Sequence, residues 1–197
     1  MKTERRRGEE LEKAILDAAY DIIETSGYED MTFQRVAKQA QTSRTVIYRR
    51  YETPVDLLHA LVLYKTTQAL GGRMVDLFQD QGNLRADLLA VVNVYQRFFD
   101  AIGPKLLGAV LHEFNRNYER FRDWFEQARD SNRKIMKKVE ENAKRRGEIA
   151  HDFTEMQMSL PFDLLRLENI FRYEKITSAY LTRLVDEVLL PVFSGRA

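Results

Sequence analysis

Residues 31–51 read MTFQRVAKQAQTSRTVIYRRY, the pattern of two short helices around a tight turn. Thr32 stands where an N-cap belongs, and Phe33, Val36, Ala37 and Ala40 recur at helical spacing, so a helix is predicted over 33–40. Gln41 and Thr42 form the break. Ser43 then caps a second helix over 44–50, in which Val46 and Ile47 face inward while Arg44, Thr45, Tyr48 and Arg49 stay with solvent. Two helices this short bury too little apolar surface to stand alone and need a supporting helix. The usual employment of such a unit is to set its second helix in the major groove of DNA.

Charge separates this reading from an ordinary helical hairpin. From Met31 to Tyr51 there are five basic residues (Arg35, Lys38, Arg44, Arg49, Arg50) and no Asp or Glu, in a chain with 31 basic and 30 acidic residues overall. A localised positive footprint is what phosphate contacts require, because neutralising the DNA backbone and releasing its counterions supplies most sequence-independent affinity. The rival reading is a solvated basic face with no partner. Coincidence of the charge with the helix-turn-helix pattern weighs against it.

The run Thr32-Phe33, Val36-Ala37, Ala40, Ser43-Arg44-Thr45, Ile47-Tyr48-Arg49-Arg50-Tyr51 and Asp56-Leu57-Leu58 resembles the tetracycline-repressor (TetR) family of transcription regulators. Gln41 replaces the family's usual turn glycine, Val46 a common threonine, Arg50-Tyr51 a common His-Phe pair, and Pro54 a frequent lysine. A Gln41 forced into a left-handed conformation would bear strain that glycine avoids. By position in the family pattern, the resemblance implies that Arg44 and Thr45 read base edges. It implies that Thr32, Ser43, Tyr48 and Arg50 hold phosphates, and that Arg49 serves either role.

Composition sets the class. A chain of 197 residues with 44% hydrophobic content can bury a real core in one or two small domains. It has no cysteine, which excludes disulfides and thiolate metal sites and fits a reducing cytoplasm. MKTERRRGEE at the N-terminus is charged, and the longest clean apolar stretches, 88–92 and 106–111, are far too short to span a bilayer, so neither export nor a membrane partner is expected. Residues 1–8 are expected to be disordered, with Lys2, Arg5, Arg6 and Arg7 forming a basic arm that follows DNA or merely solubilises.

Every periodic segment reads as helix. The first spans 9–26 with Leu11, Ala14, Ile15, Ala18, Ala19, Ile22 and Ile23 as its stripe and Gly27 closing it. Thr53, Pro54 and Asp56 open a linking helix that reaches Leu70 before Gly71-Gly72. Further helices are predicted from Asn83 to Gly103-Pro104, over 105–115, over 118–146, from Asp152 and Glu155 to about 173, and over 178–190 with Pro191 as the stop. The cluster Lys144-Arg145-Arg146 suits the end of a helix dipole better than a second nucleic-acid site. The expected architecture is all-α: a three-helix DNA-binding head, residues 1–53, joined by the linking helix to a helical ligand-binding and dimerisation body, residues 54–197.

The last two helices carry apolar sets more extensive than one small body needs, and in TetR-like proteins the C-terminal pair packs against its copy. Leu164, Leu167, Phe171, Leu184 and Val188 are therefore the expected homodimer contacts. A small hydrophobic or aromatic effector is expected among Leu63, Tyr95, Phe99, Leu111, Trp124 and Phe162. Asn93, Tyr95, Gln96, Thr66, Thr67 and Trp124 supply polar groups on inner faces, as pockets or as satisfied core. The alternative is a constitutive DNA-binding or scaffolding dimer without an inducer.

Enzyme readings find no support. His112-Glu113 begins like the zinc-protease motif, but Arg116 holds the place of the second histidine, and the chain has three histidines in all. No phosphate-binding glycine loop, nucleophile elbow or distinctive carboxylate pair is present, so no catalytic residue, metal or cofactor is expected.

Overall fold

The computed structural model describes residues 8–172 and 174–195, and among them every regular element is helical. The basic arm of Lys2, Arg5, Arg6 and Arg7 lies outside the described residues. Contacts divide the chain into two compact units, one holding the residues up to Gln68 with Ala101–Tyr118, the other Ala69–Asp100 with the residues from Glu119 on.

The first unit is organised around α1 (Glu9–Ser26), whose Ile15, Leu16, Ala18, Ala19, Ile22 and Ile23 are buried. Burying each of the larger aliphatic side chains contributes roughly 1.5–3 kcal/mol, which is the support the short helices lack by themselves. Gly27, at φ 91°, closes α1 with its amide on the Ile23 carbonyl. A 3-10 turn, Tyr28–Asp30, leads to α2 (Phe33–Gln39) and α3 (Arg44–Tyr48). Both end one or two residues sooner than periodicity alone predicts, because turn geometry rather than apolar spacing sets a helix end. α4 (Pro54–Leu70) starts as expected: the Asp56 carboxylate accepts from the Thr53 amide and hydroxyl, both at 2.8 Å, and the Asp56 amide donates to the Thr53 hydroxyl at 3.3 Å.

Tyr51 occupies a core position of this unit, and its hydroxyl is buried without a hydrogen-bond partner among the described residues. Burial pushes its pKa up to about 12. A buried, unsatisfied polar group costs about 1–3 kcal/mol. Tyr51→Phe is therefore expected to raise the melting temperature by about 2–4 °C per kcal/mol recovered, measured by circular dichroism. A lower melting temperature in the variant would show that the hydroxyl is bonded after all.

The second unit takes in a short α5 (Met74–Leu77), the first half of α6 (Leu84–Arg116), most of α7 (Tyr118–Arg145), α8 (Glu155–Phe171), α9 (Ser178–Leu184) and α10 (Leu190–Phe193). Gly103-Pro104 breaks α6 where expected, with Gly103 at φ 69°. α5 was not legible, since four residues carry no period to detect.

Two expected boundaries are corrected. α8 is capped by Thr154, not by Asp152 with Glu155: Thr154 accepts from the Gln157 amide at 3.2 Å and Gln157 Oε1 accepts from the Thr154 amide at 2.8 Å, while Asp152 binds Lys144. Pro191 does not stop the last helix. A π-helical turn, Val185–Leu189, intervenes between α9 and α10 and absorbs the amide that proline lacks.

The basic cluster that closes α7 is consumed by acids. Arg146 pairs with Asp80 and Glu148 and, at 2.7 Å, with the fully buried Asp87, which also accepts the Gln81 amide at 2.7 Å. Lys144 binds Glu140, itself buried and accepting the Phe153 amide at 2.7 Å. The Arg146 pairs tie the end of α7 to the start of α6, and together they leave little charge free for a polyanion.

Candidate nucleic-acid interface

The turn between α2 and α3 is built by three caps. Thr32 accepts the Arg35 amide at 3.3 Å and Ser43 accepts the Val46 amide at 3.3 Å, so each helix starts on a hydroxyl. Between them Gln41 stands at φ 53°, the one non-glycine residue described with positive φ, and the Thr42 amide reaches back to the Ala37 carbonyl at 2.9 Å. That is the left-handed helix ending in which glycine is preferred, and the chain accepts the strain.

Phe33, Val36, Ala37, Ala40 and Ile47 are buried beneath this turn. Thr32, Ser43, Arg44, Thr45, Tyr48, Arg49 and Arg50 are all exposed, so the seven residues expected to face DNA lie on one connected surface stretch. Tyr48, 52% exposed, is steadied edge-to-face on Phe33 at 4.8 Å between centroids, and the Arg44 guanidinium lies 5.9 Å from the Tyr48 ring. The cap hydroxyls of Thr32 and Ser43 accept amides yet keep their own hydrogens to donate, which suits a phosphate oxygen.

The five cations are not equivalent. Arg35 is held by Asp30 at 2.7 Å and Ser26 at 3.0 Å, and Arg50 by Glu12 and the Gly8 carbonyl, both at 3.5 Å. Among the described residues, Lys38, Arg44 and Arg49 make no ion pair. These three exposed, unpaired cations are placed to take anionic partners.

The residues expected to line an effector site divide between the units. Tyr95, Phe99 and Phe162 come together in the second unit, with Tyr95 edge-to-face on Phe99 at 5.2 Å and on Phe162 at 5.0 Å. Trp124 belongs to the same unit and packs on Phe121 and Phe125 at 5.1 and 5.7 Å. Leu63, 50% exposed, and the half-buried Leu111 belong to the first unit. Of the expected inner-face polar groups, three are satisfied by protein: Gln96 exchanges hydrogen bonds with Asn169 at 3.0 and 2.9 Å, Asn93 donates to the Leu89 carbonyl, and Thr66 donates to the Val62 carbonyl, whereas Thr67 is exposed.

Of the residues expected to meet a second copy, Leu167 is 54% exposed and Phe171 78%, Leu164 is half-buried, and Val188 is exposed. Met156 and Leu160 continue the same stripe of α8, and exposed Val192 of α10 adds to the apolar surface. Leu184 differs, being only 8% exposed and part of its own unit's core.

Sequence reading passed over a polar group of the second unit formed by Asn132, Arg129 and Arg166. Asn132 was detectable, because it falls on the stripe of α7 defined by Phe121, Ile135, Val139 and Ala143, yet is polar.

Two family models match the chain. Residues 15–61 match the family model described as bacterial regulatory proteins, tetR family, and residues 78–188 match the tetracyclin repressor-like C-terminal domain. A DNA-binding transcriptional repressor TetR of Mycobacteroides abscessus is 32% identical over 100 residues, 51% of this chain and 50% of that one. An uncharacterized HTH-type transcriptional regulator of Mycobacterium tuberculosis is 28% identical over 186 residues, 91% of this chain and 86% of its own. The chain thus spans half the length of the first relative and most of the second. Among solved structures, the transcriptional regulator FadR of Bacillus subtilis, in complex with stearoyl-CoA, superposes with a TM-score of 0.66 at 20% identity, covering 94% of this chain and 99% of that one.

Proposed function

The chain belongs to the TetR family, whose members are transcriptional regulators and not enzymes, and from that premise we propose that it is a homodimeric repressor that leaves a palindromic DNA operator when a small, largely apolar molecule occupies its second unit. The observation that carries the DNA reading is the helix-turn-helix stretch 31–51, itself without an acid, where Arg44 and Arg49 stand exposed and unpaired beside two capped helix starts. Arg44 and Thr45 read base edges, Thr32, Ser43 and Tyr48 hold phosphates, and Arg49 does either. Arg50 reaches phosphate by exchanging its weak contact with Glu12. One head offers too few contacts for a selective site, so two-fold symmetry supplies the second half-site, about 10 base pairs or somewhat more away.

The effector reading rests on the aromatic cluster of Tyr95, Phe99 and Phe162, which provides apolar walls, and on the family's C-terminal domain. For ligand-driven release the molecule must favour the non-binding state by several kcal/mol, about 5.5 for a complete switch, which demands substantial contact rather than a single residue. The alternative of a constitutive dimer draws on the satisfied pairing of Gln96 with Asn169, which closes part of that region without any ligand.

Selection of bound duplexes from a random-sequence pool by the purified protein tests the DNA reading. An enriched inverted repeat is the expected result, and recovery of unordered sequence would remove it.

A further inference from the structure

Between α7 and α8 the second unit opens into a cleft of about 280 Å3 whose chemistry is not that of a purely apolar pocket. Met158 and Phe162 form its apolar wall, and Phe162 is in turn backed by the Tyr95 ring. At its polar end Asn132 and Arg166 meet the buried Tyr95 hydroxyl, which accepts from Arg166 Nη2 at 3.3 Å and bonds the Asn132 amide. Asn132 and Tyr95 are each 6% exposed, so hydrogen-bonding groups have been carried into a nearly dry site. Burial holds the Tyr95 phenol above its usual pKa, so it stays a neutral hydroxyl.

The arginines around this end are not equally engaged. Arg129, Arg133 and Arg166 stand among four acids, Glu126, Asp130, Glu155 and Asp163, so what distinguishes them is how tightly each is held. Arg133 is fully engaged by Glu155 at 2.8 Å and Asp130 at 3.1 Å. Arg166 shares itself between Asp163 at 2.6 Å and Tyr95, and Arg129 touches only Glu126, at 3.5 Å. Arg129 is the most loosely held guanidinium of the cleft, and Arg166 is the one that also reaches the buried Tyr95 hydroxyl.

We propose that this cleft binds a small molecule carrying a single carboxylate on an apolar body, with Arg166 and Arg129 holding the carboxylate, Asn132 donating to it, and Met158 and Phe162 covering the body. A guanidinium presents its N–H groups as a fork that matches the two oxygens of a carboxylate, and such charge-assisted pairs are stronger than neutral hydrogen bonds. A carboxylate offers two equivalent anionic oxygens to these donors, whereas its neutral amide offers one acceptor and brings N–H donors of its own. Ligand pockets run from roughly 300 to 1,000 Å3, so a cleft this small suits an aromatic ring or a short acyl chain, not a nucleotide-sized cofactor. The inference deepens the effector reading given above and rests on it for any consequence at the operator.

Calorimetric titration of the full-length protein with benzoate, phenylacetate and octanoate, each matched with its neutral amide, tests the proposal. At least one acid is expected to bind about tenfold or more tighter than its amide, a difference that ~1.4 kcal/mol of charge recognition produces. Arg166→Met should abolish that preference. Arg129→Met, at an exposed position that does not threaten folding, should reduce it about threefold or more. Arg122→Met, on α7 but outside the cleft, should leave it unchanged. Acids and amides that bind alike, an Arg129→Met protein that binds acids as the wild type does, or no acid binding at about 1 mM would each overturn the proposal. Acid binding that leaves operator affinity untouched would support the cleft's chemistry while removing ligand-driven release.

Discussion

A protein with glutamate in place of Leu167 is expected to behave as a monomer and to bind its operator about 100-fold or more weaker than the wild type. Met156, Leu160, Leu164, Leu167 and Phe171 recur along one stripe of α8, and three of them are among the most exposed large apolar side chains described. An apolar stripe of that length left to water is costly, and a second copy is the partner that a two-fold axis supplies. Symmetry doubles the effect of any change, because the Leu167→Glu carboxylate enters the shared face once from each protomer and would have to be desolvated there. Light scattering together with fluorescence anisotropy on labelled duplex measures both parts. Leu167→Ala is expected to weaken association less, and unchanged far-UV circular dichroism should show that the monomer is folded, since Leu167 does not serve its own unit's core. Leu184→Glu should instead unfold the second unit, because that residue is buried within it. A wild-type protein that scatters as a monomer at micromolar concentration, or a dimer that survives Leu167→Glu combined with Phe171→Glu, would remove the interface and the palindromic operator with it.

The contrast between Leu167 and Leu184 marks how far the sequence could be read. Periodicity places both on apolar stripes, but a stripe records only that a residue avoids water, not whether it does so against its own chain or another. The head was more legible because several independent local signals coincide there. Thr32 and Ser43 cap, Phe33, Val36 and Ile47 face inward, and the stretch from Met31 to Tyr51 carries basic residues and no acid, so position, conformation and charge agree. Even there the pairing of Arg50 with Glu12 across 38 positions was invisible, as was the orphaned Tyr51 hydroxyl, since both depend on where α1 passes. In the second unit, the aromatics of α6 and α8 announced themselves and do meet at Tyr95, Phe99 and Phe162. The arginines beside them looked like ordinary helix surface. Only tertiary packing separates Arg133, spent on Glu155, from Arg129, which is nearly free. Helix endings were least legible: Thr154 displaced Asp152 as a cap, and the π turn carried the last helix through Pro191.

Arg44→Ala is expected to lose roughly 5- to 150-fold in affinity for each cognate half-site and to flatten sequence preference at one base pair, leaving affinity for unrelated DNA much less altered. Arg44 is the first residue of α3, exposed and without an ion pair among the described residues, so its guanidinium can turn toward a guanine edge without first breaking an acid contact. Its approach to the Tyr48 ring, at 5.9 Å, lies at the outer edge of a cation–π contact and holds it only loosely. Arg50→Ala is the informative contrast. Arg50 sits beyond the end of α3 and already contacts Glu12, so its loss should weaken all sequences alike and reduce the salt dependence by about one counterion per protomer. Competition binding across single-base operator variants at two salt concentrations separates the two roles. If Arg44→Ala kept the wild-type ranking of those variants while Arg50→Ala changed it, base readout would belong to the end of α3 and not to its start.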